Sequence, residues 1–138
     1  RKFHEARQRG DDQAIVWGSG KPRREFLHSD DLADAVLMLM EASPAVLDRL
    51  LPGDAPPLLN IGCGEDLTIA ELAELVKQAT GFGGRIEFDP SKPDGTPRKL
   101  LDVSRLFSLG WRPRIPLAAG IAAAYDDYLE SVPASHGH

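Results

Sequence analysis

The fold is decided by the stretch Thr68–Asp89, TIAELAELVKQATGFGGRIEFD, which places a capped helix directly before a strand. The Thr68 hydroxyl can accept from the third helical N–H while the Glu71 carboxylate reaches back to the cap N–H, which is a capping box. Apolar residues then recur at helical spacing until Gly81 ends the helix. The alternation of Arg85–Asp89 predicts a strand, so helix and strand follow each other as in α/β proteins.

Similar signals on both sides of this stretch predict more short elements. The predicted helices are Lys2–Arg9, Asp31–Glu41 with Ser29 or Asp30 as its cap, Ile69–Thr80, Ser104–Leu109 and Pro116–Glu130. The predicted strands are Ala14–Trp17, Glu25–His28, Leu58–Ile61 and Arg85–Asp89, and the predicted loops are Ser43–Pro57 and Asp89–Lys99. The expected fold is a small mixed α/β domain of three or four short strands and four or five helices over residues 1–130. Residues 131–138 read as a disordered tail or a cloning remnant.

Composition narrows the class of protein. The 138 residues are 42% hydrophobic and 27% charged, which is typical of a globular domain. No apolar run approaches the roughly 20 residues that span a bilayer, and the charged N-terminus does not resemble a signal peptide. The single cysteine, Cys63, excludes an internal disulfide and predicts a reduced, cytoplasmic setting. We interpret its side chain as a packing residue. The first residue is Arg1 rather than Met, which suggests a piece of a longer protein.

Charge is distributed unevenly along the chain. The net charge is -5, yet residues 1–28 and residues 82–114 each carry seven basic and four acidic residues. Two cationic segments on an acidic chain can be solvated surface, or they can converge on one anionic ligand. An acidic chain is a poor candidate for binding nucleic acid, because phosphate contacts supply most of that affinity.

The usual signatures of catalytic and metal sites are weak. The turns Gly18-Ser19-Gly20 and Gly62-Cys63-Gly64 do not extend to a dinucleotide-binding fingerprint, so no cofactor site is expected in this chain. The histidines lack partners at metal-ligand spacing, and no metal site is expected either. The pair Asp30-Asp31 most simply stabilises a helix N-terminus, with a catalytic carboxylate pair as the second interpretation. No catalytic residue is identified.

Two Gly- and Pro-rich loops carry cations and suit a sugar nucleotide. The first holds Trp17, whose flat ring can face a base or sugar, and Arg24, which can pair with a phosphate. The second holds Asp94, which can accept hydrogen bonds from a ligand, and Lys99, a second phosphate partner. The alternative is that both loops are ordinary surface.

Both loops resemble one enzyme family. The run from Val16 through Arg24-Glu25-Phe26-Leu27-His28-Ser29-Asp30-Asp31 resembles the C-terminal region of extended short-chain dehydrogenases that act on nucleotide sugars. The run Ser91–Asp102, SKPDGTPRKLLD, is narrower and, with the N-terminal RKFHEA, resembles the GDP-L-fucose synthase family. This family converts GDP-4-keto-6-deoxy-D-mannose to GDP-L-fucose by epimerising C3 and C5 and reducing C4 with NADPH.

The resemblance covers the substrate-binding part of that family. It implies that Lys2, Arg24 and Lys99 meet the phosphates, that Trp17 lies by the nucleotide or sugar, and that Asp94 lies beside the nucleoside. It also implies that NADP(H) is bound by an N-terminal Rossmann domain which, like the family's catalytic residues, is missing from this sequence. The whole enzyme is then a homodimer without nucleic-acid or membrane partners, and this chain alone is inactive. The alternatives are a non-catalytic nucleotide-sugar-binding module and a fragment of a related epimerase or dehydratase.

Overall fold

The computed structural model describes residues 1–50, 53 and 58–131. Its helices are α1 (Lys2–Arg9), α2 (Ser29–Met40), α3 (Pro44–Leu50), α4 (Ile69–Thr80), α5 (Ser104–Phe107) and α6 (Leu117–Ser131). Its strands are β1 (Gln13–Trp17), β2 (Arg23–Arg24), β3 (Leu67–Thr68), β4 (Arg85–Asp89) and β5 (Arg98–Lys99). The small mixed α/β class is confirmed, with one more helix and one more strand among these residues than the upper expectation. None of the helices in the described ranges is long and apolar enough to cross a membrane.

The described chain divides into two compact units. The first unit comprises Arg1–Pro22, Leu67–Pro97 and the chain from Pro116, and the second comprises Arg23–Asp66 and Arg98–Ile115. The boundary of a single domain at residue 130 stays a prediction. Of the tail predicted over 131–138, Ser131 is the last residue of α6, and residues 132–138 lie outside the described residues.

The first unit is built on a parallel pair of strands. β1 and β4 run in register from the Gln13–Arg85 pair to the Trp17–Asp89 pair. The capping box and the left-handed Gly81 bound α4 as the sequence predicts, and α4 packs against α6 and α1. The core of this unit is small, and its buried residues are Phe3, Ala6, Ala14, Ala73 and Phe82. The two phenylalanine rings meet edge to face at 5.7 Å, an arrangement that aromatic pairs favour.

The second unit surrounds Ala35, Leu106 and Trp111, which form its buried core. The Trp111 indole N–H donates to an Asp34 carboxylate oxygen at 3.0 Å, so this buried aromatic ring keeps its polar atom paired. Here β2 and β5 form a short parallel pair, with Arg23 opposite Arg98 and Arg24 opposite Lys99.

Two expectations at the start of α2 are corrected. The extended segment predicted at Glu25–His28 pairs as a strand two residues earlier, at β2. The predicted cap, Ser29 or Asp30, is replaced by His28, whose Nδ1 accepts a hydrogen bond from the Asp30 backbone N–H at 3.2 Å. A neutral imidazole nitrogen can accept like the oxygen of a usual cap, and that is why the helix begins earlier.

Three further expectations fail between the helices. The loop predicted over Ser43–Pro57 contains α3, which has Pro44 at its first position, where proline is favoured; residues 51, 52 and 54–57 lie outside the described residues. The buried strand predicted at Leu58–Ile61 is not a strand, and Leu58 is 72% exposed. The loop predicted at Asp89–Lys99 ends in β5. The last two errors share one cause: an extended segment becomes a strand only with a partner, which local sequence does not reveal.

Candidate functional site

Trp17 stands at the end of β1 with its ring in solvent. Side chains alternate along this strand, so that Ala14 is buried and Val16 is half-buried, while Ile15 and Trp17 point outward. The Trp17 side chain is 64% exposed, which is unusual for a large aromatic residue at a strand end. An exposed indole offers a flat apolar face on which a base or sugar ring can stack.

Two lysines approach that indole. The ammonium nitrogen of Lys2, at the start of α1, lies 4.6 Å from the ring centroid, and that of Lys92 lies 5.9 Å from it. Both distances are within the range of a cation–π interaction. The Lys2 ammonium also donates to the Ile15 carbonyl at 3.4 Å, which ties the end of its side chain to β1. Trp17, Lys2 and Lys92 are called the Trp17 site below.

Asp94 is fixed next to the Trp17 site. Its Oδ1 accepts from the Ser19 backbone N–H at 2.6 Å and its Oδ2 accepts from the Ser19 hydroxyl at 2.7 Å; this pair of bonds is called the Asp94 clasp. The Ser19 bonds, the backbone bond first, hold the pKa of this carboxyl below its ordinary value. Gly18 is required here, because its φ is +85° and a Cβ would lie 2.5 Å from the Asp94 Oδ1.

Arg24 and Lys99 face each other in the second unit as cross-strand partners of β2 and β5. Like charges placed directly opposite destabilise a strand pair unless an anion compensates them. The neighbouring pair, Arg23 and Arg98, has such an anion, because both guanidinium groups donate to the largely buried Asp66 carboxylate. These two hydrogen bonds, the one from Arg98 first, lower the pKa of Asp66.

The five predicted site residues therefore fall into two groups. Lys2, Trp17 and Asp94 belong to the first unit, and Arg24 and Lys99 belong to the second. Their roles as ligands stay predictions. Sequence reasoning misses Lys92 and Ser19, although the first lies in the run SKPDGTPRKLLD and the second lies in the turn Gly18-Ser19-Gly20.

Each glycine turn has a backbone amide bound to a carboxylate of this chain. The Ser19 N–H donates to Asp94, and the Gly64 N–H donates to the Glu25 carboxylate at 2.7 Å. A loop that cradles a dinucleotide phosphate needs free amides, and a carboxylate at the same amide repels the phosphate. Neither of these two turns therefore fits the diphosphate of NADP(H).

The remaining candidates have structural roles. Asp31 is 2% exposed, and its two oxygens accept from the backbone N–H groups of Arg114 and Ile115, both at 3.0 Å. This buried carboxylate accepts hydrogen bonds from two backbone amides and is not available to a substrate. Cys63 donates to the Glu65 carbonyl at 3.2 Å, and burial raises the pKa of its thiol. No cluster of three or more metal-binding side chains occurs within residues 1–50 and 58–131.

Comparisons with known proteins identify similar sequences. Residues 1–55 match the model of the NAD dependent epimerase/dehydratase family. The chain is 50% identical over 133 residues to the GDP-L-fucose synthase of Escherichia coli, covering 95% of this chain and 40% of that protein. It is 48% identical over 132 residues to GDP-L-fucose synthase 1 of Arabidopsis thaliana, covering 96% of this chain and 38% of that protein.

A solved structure extends the similarity to the fold. The GDP-mannoheptose C4 reductase of Campylobacter jejuni, with NADP bound, is 38% identical with a TM-score of 0.78, covering 94% of this chain and 42% of that chain. The chain thus spans about two fifths of the length of the relatives it matches.

Proposed function

We propose that this chain, which is homologous over nearly its whole length to part of the GDP-L-fucose synthases, is the substrate-binding part of such an enzyme. The whole enzyme epimerises GDP-4-keto-6-deoxy-D-mannose at C3 and C5 and reduces C4 to give GDP-L-fucose. Epimerisation is acid–base chemistry, and reduction takes a hydride from NADPH. The role of this chain is to hold the GDP moiety, which fixes the keto sugar against catalytic groups supplied elsewhere.

The single observation that carries the proposal is the Trp17 site. A guanosine diphosphate carries a flat aromatic base and two phosphates, which are joined through its ribose. The site presents a flat, exposed indole next to the ammonium groups of Lys2 and Lys92. Stacking on an aromatic side chain and ionic bonds to phosphate are the two interactions that such a ligand can use.

Arg24 and Lys99 support the proposal separately. They are like charges facing each other across β2 and β5, in the position where a phosphate relieves their repulsion. An arginine can hold a phosphate through two parallel N–H bonds, and a lysine contributes a point charge. We propose them as phosphate ligands on the resemblance of their loops to the family, and each is tested by its own substitution.

NADP(H) belongs to the longer enzyme in this proposal. Because both glycine turns are closed by carboxylates, we expect a Rossmann domain outside this chain to bind the cofactor. We also propose that the whole enzyme is a cytoplasmic homodimer and that it has no nucleic-acid or membrane partner. On this account the chain alone does not turn over substrate, so detection of NADPH oxidation by the chain with keto-sugar would contradict it.

Titration calorimetry of GDP into the full chain tests the binding role. We expect GDP to bind and Lys2→Gln to weaken GDP binding several-fold, since one charge–phosphate bond is lost. Lys77→Gln, which removes the same charge from α4, is the matched control and should bind GDP like the unchanged chain. Equal affinities for both variants would contradict the role of Lys2, and an absence of GDP binding would contradict the proposal.

A related GDP-sugar enzyme is the second candidate, favoured by the 38% identity to a GDP-mannoheptose C4 reductase. Both candidates predict GDP binding. They differ in the substrate of the full-length enzyme, so turnover of GDP-4-keto-6-deoxy-D-mannose against a GDP-heptose separates them. A non-catalytic GDP-sugar-binding module predicts binding without turnover in the full-length protein as well.

A further inference from the structure

We propose that Lys92 is an additional anion-binding residue of the Trp17 site and that Asp94 is the positioning residue that holds it there. The inference deepens the proposed function and rests on it for the identity of the anion, a nucleoside diphosphate. Asp94 then acts through the conformation of its loop, in addition to any contact of its own with the ligand.

The loop that carries Lys92 is fixed at its beginning by Asp89. The Asp89 carbonyl accepts from the Gly18 N–H at 2.9 Å and from the Lys92 N–H at 3.2 Å. The Asp89 carboxylate accepts from the backbone N–H and the hydroxyl of Ser91, at 3.0 and 2.6 Å. The turn that follows β4 is therefore closed onto the residue after Trp17.

The same loop is fixed a second time, after Lys92, by the Asp94 clasp. Ser19 lies two residues after Trp17 and Asp94 lies two residues after Lys92, so both ends of the clasp are next to the Trp17 site. Lys92 lies between the two fixed points, and its ammonium group stands 5.9 Å from the indole centroid. Without the clasp, the loop would lose the two hydrogen bonds that hold it beside Ser19.

The repulsion between the Lys2 and Lys92 ammonium groups explains why hydrogen bonds are needed to hold Lys92 near Trp17. Lys2 and Lys92 bring two ammonium groups to one indole, and within the part of the chain that the structure describes neither forms an ion pair. Two like charges at one ring repel each other, and a free loop would relieve that repulsion by moving away. The clasp holds the second charge in place before a ligand arrives, so binding does not have to order the loop.

Collisional quenching of tryptophan fluorescence reports this charge directly. Trp17 is 64% exposed and Trp111 is 6% exposed, so a quencher in solution reaches the first and not the second. Iodide is an anion and acrylamide is neutral, so the ratio of their quenching constants measures the positive charge at Trp17. At low salt we expect Lys92→Gln to lower this ratio about twofold, while Lys77→Gln leaves it unchanged.

A matched pair of substitutions separates position from charge. Asp94→Asn and Asp94→Ala remove the same negative charge, but the asparagine amide can still accept from the Ser19 N–H and donate to its hydroxyl. If Asp94 positions Lys92, Asp94→Ala lowers the iodide ratio to the level of Lys92→Gln, and Asp94→Asn keeps it at or above the original value. Identical ratios for the two variants would overturn the positioning role. Circular dichroism of each variant confirms that helix content is retained.

GDP affinity completes the test. We expect Lys92→Gln and Asp94→Ala to weaken GDP binding several-fold and Asp94→Asn to weaken it less. GDP binding that is unaffected by Lys92→Gln would overturn the inference and leave the proposed function intact. A chain that shows the predicted iodide ratios but binds no GDP would support the placement of Lys92 and refute the proposed function.

Discussion

Removing the Asp31 carboxylate should destabilise the second unit far more than removing its neighbour Asp30. Asp31 is 2% exposed and accepts two backbone N–H bonds at 3.0 Å, from Arg114 and Ile115. Hydrogen bonds to a charged group are worth about 1.5–3 kcal/mol each, and both are lost in Asp31→Ala. Because both bonds are only partly buried, we take the lower end of this range for each bond and expect a loss of about 3 kcal/mol in the free energy of unfolding.

Urea unfolding followed by Trp111 fluorescence measures this loss, because Trp111 is buried in the same unit. Asp30→Ala is the matched control: it removes the same charge from the same helical turn, but the Asp30 side chain is 79% exposed. Its expected cost is below about 1 kcal/mol, the usual size of a helix-dipole contribution. Equal losses of unfolding free energy for the two variants would refute the role of the Asp31 carboxylate in holding the Arg114 and Ile115 amides.

Three further predictions concern stability and reactivity. Thr68→Ala should cost about 1 kcal/mol in urea unfolding through loss of the capping box, against no measurable cost for Thr96→Ala in an exposed loop. The lowered pKa of Asp66 means that its two arginine bonds stabilise the fold fully above the ordinary aspartate pKa and that this contribution is lost as the pH falls through the lowered value. Asp66→Asn should therefore unfold at a lower urea concentration at neutral pH and approach the unchanged chain in acid; a gap independent of pH would contradict this. Burial raises the pKa of Cys63, so alkylation by iodoacetamide at neutral pH should be slower than for a free thiol, and an equal rate would contradict it.

The parts of the fold that could be predicted are those encoded locally. The capping box at Thr68, the glycine at position 81 and the alternation of Arg85–Asp89 each act within a few residues, and the structure confirms all three. The first helix and its end at Gly10 follow the same logic, since Gly10 adopts a left-handed conformation there. Local hydrogen bonding and backbone preference decide such elements without reference to the rest of the chain.

The failures depend on partners that are distant in sequence. Leu58–Ile61 has the composition of a buried strand, yet no strand pairs with it in the described residues. Apolar residues recur at helical spacing along α2, but the structure buries Ala35 and leaves Met40 76% exposed. Periodicity shows which side of a helix is apolar, and it does not show what covers that side.

The candidate site shows the same division. Trp17 was selected from its type and its loop, because an aromatic ring near glycines and cations suits a nucleotide. Its relation to Lys92 and the contact between Ser19 and Asp94 join residues 75 positions apart, which a single sequence does not reveal. Asp94, which the sequence predicts as a ligand contact, also holds the loop of the site through its hydrogen bonds to Ser19.

The most direct test is a calorimetric titration of GDP into the chain and into its Trp17→Ala variant. Stacking of a base on an aromatic side chain is worth about 1–3 kcal/mol, so we expect the variant to bind GDP about 5- to 150-fold more weakly. Met40→Ala, which removes another exposed apolar side chain, should bind GDP like the unchanged chain. GDP binding that survives Trp17→Ala unchanged would contradict the central claim that the exposed indole holds the nucleotide.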